Sequence, residues 1–120
     1  MELFPNDAAA LSNRGNIKLV NGDPEGAIED QDKAIELDPG EVDPYINRGI
    51  AEESLGLWLQ AKNDYLYVIS KDKDNFSALY NFANVEGSLS NWQSARNLFS
   101  QASESNPGFA MARSLSLIHI

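Results

Sequence analysis

Apolar and small residues recur along this chain with two periods at once. Locally they follow the three-and-four spacing of a helix face, as in Ala27, Ile28, Ala34, Ile35 and Leu37, or in Trp58, Ala61, Tyr65 and Ile69. Over a longer range they return every 34 residues: Gly15, Gly49 and Ala83; Ala27, Ala61 and Ala95; Ala34, Val68 and Ala102. Each period breaks in its middle, at Asn21-Gly22, near Gly56 and at Ser90-Asn91, and again at its end, at Pro39, Lys73 and Pro107. Asp7, Asp23, Asp43 and Asn75 stand where helix N-caps belong, with Pro24 and Pro44 next in line at a first helical position. Nothing alternates with period two over a strand length. The pattern predicts an all-α fold, an α-solenoid of antiparallel helix pairs stacked side by side.

Phasing the period along the chain predicts three repeats, at 8–41, 42–75 and 76–109. Residues 1–7 then read as the end of a preceding repeat and residues 110–114 as the start of a fourth. At Leu117 a bulky side chain falls where a small one is due, and the phase is lost. The last six residues, Leu115-Ser-Leu-Ile-His-Ile120, are also the translation of CTG-TCT-CTT-ATA-CAC-ATC, which resembles a transposase adapter used in sequencing libraries. Residues 115–120 are therefore expected to be an artefact outside the fold, and the rest a fragment of a longer protein.

Composition narrows the chemistry. With 18 Asp and Glu against 9 Lys and Arg, the chain lacks the basic stripe that binding to phosphate backbones requires, so no nucleic-acid partner is expected. No apolar run approaches membrane-spanning length. The chain has no cysteine and a single histidine, His119, so neither a nucleophile–base pair nor a histidine-containing metal site can be assembled. No enzyme activity, metal or other cofactor is expected, and the compartment, cytosol or an organelle such as a plastid, stays open.

The segments Leu11-Ser-Asn-Arg-Gly15, Ala27-Ile-Glu-Asp30 and Lys33-Ala-Ile-Glu-Leu-Asp-Pro39 resemble the tetratricopeptide-repeat (TPR) family, whose period is 34. Repeats two and three fit more loosely, with Ala83 for Gly and Lys73 for the terminal Pro, and Gln31 stands where Tyr65 and Phe99 supply an aromatic ring. The resemblance implies that the first helix of each repeat lines a concave face, and that the module is a scaffold or adaptor for proteins and peptides. Asn13, Asn47 and Asn81 recur two residues before the small site, and Asn16 and Asn84 follow it by one. Long TPR superhelices that hold peptides with an asparagine ladder look similar here, and an amide supplies donor and acceptor together. Ile46, Tyr80 and Glu53, with Leu19, Ile50 and Asp43, complete the expected groove, which should take a neutral to mildly basic extended segment.

Other roles of the family are weighed on the same residues. The carboxylate clamp of chaperone-binding members matches at Asn16 and Asn47, but its three basic positions are Ser12, Ser77 and Asn81 here, which leaves a bound carboxylate without a counter-ion. A substrate-recruiting arm of an enzyme whose catalytic domain lies elsewhere, an RNA-binding pentatricopeptide array and a structural spacer are the alternatives, the array opposed by phase and charge. One pattern reads as structural. Arg14 and Arg48 become Phe82 in the third repeat, and Asp30 and Asp64, sixteen residues on, become Leu98. The matched exchange predicts two ion pairs, Arg14–Asp30 and Arg48–Asp64, each within a repeat.

Overall fold

The computed structural model describes residues 7–106. Among them are six α-helices and no strand: α1 (Ala8–Val20), α2 (Pro24–Leu37), α3 (Asp43–Ser54), α4 (Trp58–Lys71), α5 (Phe76–Ser88) and α6 (Trp92–Ser105). The expectations for residues 1–6 and 107–120, including the preceding and following repeats and the adapter-like segment, lie outside the described residues.

Local chemistry explains where the helices start. Asp7 accepts a hydrogen bond from the Ala10 amide at 3.1 Å, Asp23 from Gly26 at 3.0 Å and Asn75 from Ala78 at 3.0 Å, each satisfying an otherwise orphaned donor of a first turn. Asp43, expected as a cap, is instead the first residue inside α3. Val42 before it is already close to helical, at φ −90° and ψ −24°, and its carbonyl accepts from Tyr45 and Ile46. The Asp43 carboxylate therefore acts on the helix N-terminus by charge alone. The turns inside each pair repeat the period in backbone form. Gly22, Gly56 and Ser90 all take positive φ, at 89°, 75° and 64°, so only the third repeat places a side chain in this disfavoured region.

Packing sets the curvature. Each helix touches its neighbours in sequence, and α1 also meets α3 and α3 meets α5, whereas α2 and α4 do not meet, nor do α4 and α6. The odd-numbered helices thus crowd on one side and form the inner face of a body measuring 51 × 25 × 24 Å. Small residues let the helices of a pair close in. A Cβ on Gly49 would sit 2.7 Å from the Tyr65 ring, and one on Gly15 2.6 Å from Gln31 Nε2. The main apolar cluster joins repeats two and three through Ile46, Ala61, Tyr65, Val68, Ala78, Phe82 and Val85.

The two arginines lie across their own helix pairs. Arg14 meets Asp30 through Nε and Nη2, both at 2.8 Å; Arg48 meets Asp64 through the same atoms at 3.0 and 2.6 Å. Bidentate pairing of this kind fixes orientation as well as distance. In repeat three Phe82 is buried and Leu98 packs against the same apolar cluster.

Candidate functional site

A groove of about 840 Å³ opens between α1, α3 and the α2–α3 connection. Asn13, Asn16 and Asn47 line it together with Ser12, and Asp7, Asp38, Glu41 and Asp43 supply carboxylates; Ala8, Ala9, Leu37 and Pro44 complete it. No lysine or arginine is among these lining residues, so the groove carries a negative potential. Helix periodicity explains the amide set. Asn13 and Asn16 are three apart on α1, hence on one face, and Asn47 occupies the Asn13 position of the next repeat.

The other expected groove residues are elsewhere. Ile46 is a correction: it is 7% exposed and belongs to the apolar cluster, because α3 turns this position toward α4 and α5. Glu53 is a second correction. Its carboxylate accepts the Tyr65 hydroxyl inside the repeat, and burial holds its acidity below that of an ordinary glutamate. Tyr80 packs edge-on to Phe99 at 5.8 Å and stacks near Phe76 at 5.7 Å. Asn81 and Asn84 are half-buried on α5 and do not line the groove. Ile50 packs against the apolar cluster, and Leu19 is half-buried.

Two features went unseen in the sequence. The first is a buried polar network beneath the groove. The Ser12 hydroxyl donates to Gln31 Oε1 at 2.7 Å and accepts from Asn47 Nδ2 at 3.0 Å, while Gln31 Nε2 donates to the Ser12 carbonyl at 2.9 Å and reaches Asn16 Oδ1 at 3.4 Å. The second is a cluster of carboxylates around Arg48. Besides Asp64, the guanidinium meets Asp32 of α2 at 2.9 Å and Glu52 at 4.0 Å. Glu52 Oε1 is buried without a hydrogen-bond partner. Burial first, then the hydrogen bond and charge of Asp64, push the Glu52 carboxyl up to about 9 against the pull of Arg48, so it is protonated at neutral pH.

The fold and the groove together define a helical-repeat module with a concave face. Residues 8–41 match the tetratricopeptide repeat family. The chain is similar to sperm-associated antigen 1 of Rattus norvegicus, 39% identical over 61 residues, which is 51% of this chain and 7% of that protein. It is also similar to UDP-N-acetylglucosamine–peptide N-acetylglucosaminyltransferase of Giardia intestinalis, 31% identical over 84 residues, which is 70% of this chain and 6% of that protein. The chain thus spans less than a tenth of the length of either relative. Among solved structures, the Arabidopsis OM64 TPR domain superposes with a TM-score of 0.83 at 23% identity, covering 94% of this chain and 96% of that one. The first TPR of Spaghetti (RPAP3), bound to the HSP90 peptide SRMEEVD, superposes at 0.84 with 20% identity, covering 95% and 94%. Residues 8–41 are therefore a tetratricopeptide repeat, and the described chain has the tetratricopeptide-repeat fold. No helix among the described residues is long and apolar enough to cross a membrane.

Proposed function

We propose that this chain is a protein-interaction module whose groove on repeats one and two holds an extended peptide of neutral to mildly basic character, in a scaffold or adaptor role. The observation that carries the reading is the groove's composition: among the described residues that line it are three asparagines and four carboxylates and no lysine or arginine. Asparagine amides suit the alternating C=O and N–H groups of an extended backbone, and the carboxylates favour lysine or arginine side chains along it. The same charge argues against the acidic peptide that the RPAP3 domain holds, since a carboxylate here would meet others without a counter-ion.

A peptide array read with wild type, with the Asn13→Ala/Asn16→Ala/Asn47→Ala triple variant and with Asn81→Ala tests the reading. Capture of lysine-containing peptides is expected to fall about tenfold in the triple variant, one good hydrogen bond's worth or more, and to persist in Asn81→Ala, which lies outside the groove. Equal capture by wild type and the triple variant would sink it. The similarity to the Giardia transferase favours a second reading, that the groove recruits substrates for an enzyme whose catalytic domain lies beyond these residues. A full-length transcript that encodes no such domain would remove it.

A further inference from the structure

Repeat one carries polar side chains at two sites where the other repeats carry aliphatic or aromatic ones. Ile46 and Tyr80 stand at the position of Ser12, and Tyr65 and Phe99 at that of Gln31. Gln31 is 1% exposed, so its amide needs partners, and it has them. The direction of every bond follows from one atom. The Ser12 carbonyl oxygen can only accept, so the Gln31 amide must turn Nε2 toward it and Oε1 toward the Ser12 hydroxyl. The hydroxyl then uses its single proton on Oε1. Only lone pairs remain on it, so Asn47 must approach with Nδ2. The second N–H of Gln31 likewise requires Asn16 to approach with Oδ1.

We infer that Ser12 and Gln31 are positioning residues for the peptide groove. They hold Asn16 with its amide N–H groups uncommitted and Asn47 with its carbonyl oxygen uncommitted, a directed donor–acceptor pair for the backbone of an extended basic peptide. Among the described residues, no other group takes the Asn16 N–H donors or the Asn47 Oδ1. An unconstrained asparagine turns its amide either way and must be ordered on binding; one already oriented does not incur that cost and recognises a backbone in one sense only. The occupant is set by charge: Asp7, Asp38, Glu41 and Asp43 line the same groove, which selects a lysine- or arginine-bearing segment. The inference rests on the reading of this groove as a peptide site.

The test uses the full chain and a fluorescent capped octapeptide of alternating alanine and lysine, beside the same peptide with methylated backbone nitrogens. The Ser12→Ala/Gln31→Leu double variant removes both polar partners together at similar volume, which leaves little unsatisfied and preserves the fold. Circular dichroism and melting check that, and Ser12→Ala alone serves if the double variant does not fold. Wild type is expected to prefer the unmethylated peptide about tenfold, as the loss of one backbone N–H to Asn47 Oδ1 predicts. The double variant is expected to bind more weakly and to lose that preference, while NMR shows its Asn47 side-chain amide signals shifting toward solvent-averaged values. A folded variant that keeps wild-type affinity and preference overturns the positioning role and leaves the groove reading standing. Failure of wild type to bind either peptide overturns the groove reading, and the inference with it.

Discussion

Repeats one and two place the same guanidinium against the same carboxylate, yet the charges around the two pairs are opposite. One helical turn beyond Arg14 stands Lys18, whose Nζ lies 3.1 Å from Asp30; the matching residue beyond Arg48 is Glu52. Asp30 thus sits between two cations, whereas Arg48 sits among Asp32, Glu52 and Asp64. The hydrogen bond from Arg14, reinforced by Lys18 and opposed by burial, holds the Asp30 carboxyl below its usual range. Glu52 goes the other way. A repeated bridge can set the geometry of a helix pair while a single neighbouring position decides how that pair responds to substitution and to pH.

The largest expected contrast is between the two arginines. Arg48→Met removes the partner of Asp64, whose side chain is 7% exposed, and should cost about 3–5 kcal/mol, the range for stranding a buried charge. Arg14→Met leaves Lys18 on Asp30, and the lost guanidinium was 43% exposed; about 1–2 kcal/mol is expected for that substitution. Urea unfolding of both variants at pH 7 measures the difference, and equal costs would break the comparison.

The next contrast is in pH. Glu52 titrates near 9 in the folded chain against 4.5 for an ordinary glutamate, so the native state keeps a proton that the unfolded chain releases. Stability contributed at this site therefore falls as pH climbs from about 4.5 toward 9. Asp30 is the reverse case: its folded value lies below the ordinary 3.8, so its contribution is complete above that value and is lost as pH drops through the folded one. The alkaline limb of a stability–pH curve should belong to repeat two, whereas the acid limb should be shared by Asp30 of repeat one and Glu86 of repeat three, whose carboxyl is also held low. Glu52→Gln should flatten the alkaline limb and exceed wild type by about 1–2 kcal/mol near pH 8.5, with the acid limb unchanged. Denaturant midpoints between pH 3 and 9 decide it; an alkaline limb that survives Glu52→Gln assigns the titration to another group.

Matched exchanges between repeats explain what could be read before the fold was known. Arg14 and Asp30 change together to Phe82 and Leu98, and residues that change together are residues that touch. The Ser12 and Gln31 pair carried the same kind of signal, polar with polar in repeat one and aliphatic or aromatic with aromatic elsewhere, although each looked like an isolated departure from the repeat. Glu52 was harder to foresee. Its neighbour Asp64 is on another helix and Asp32 on another repeat, so the crowding arises only when two levels of packing are superposed. Ile46 and Glu53 fell on the wrong side of α3 because periodicity gives the spacing of a helix face but not which neighbour that face meets. The groove's carboxylates come mainly from the α2–α3 connection and helix starts, where the repeat pattern has least to say.

The smallest effect is the most diagnostic of how repeats are joined. Of the bonds that Arg48 makes, the one to Asp32 alone crosses from repeat two to repeat one. It is a single bond at 2.9 Å where the internal pair is bidentate, and the Asp32 side chain is 54% exposed, where water and salt compete for both charges. Asp32→Asn is therefore expected to cost about 0.5 kcal/mol or less, and the cost should vanish when ionic strength is raised. The loss from Arg48→Met should survive the same salt, because the internal carboxylates are shielded from solvent. Melting both variants in low and high salt separates the two bonds. If Asp32→Asn were as damaging as Arg48→Met, Arg48 would chiefly be an inter-repeat clamp, and its likeness to Arg14 would be one of sequence position only.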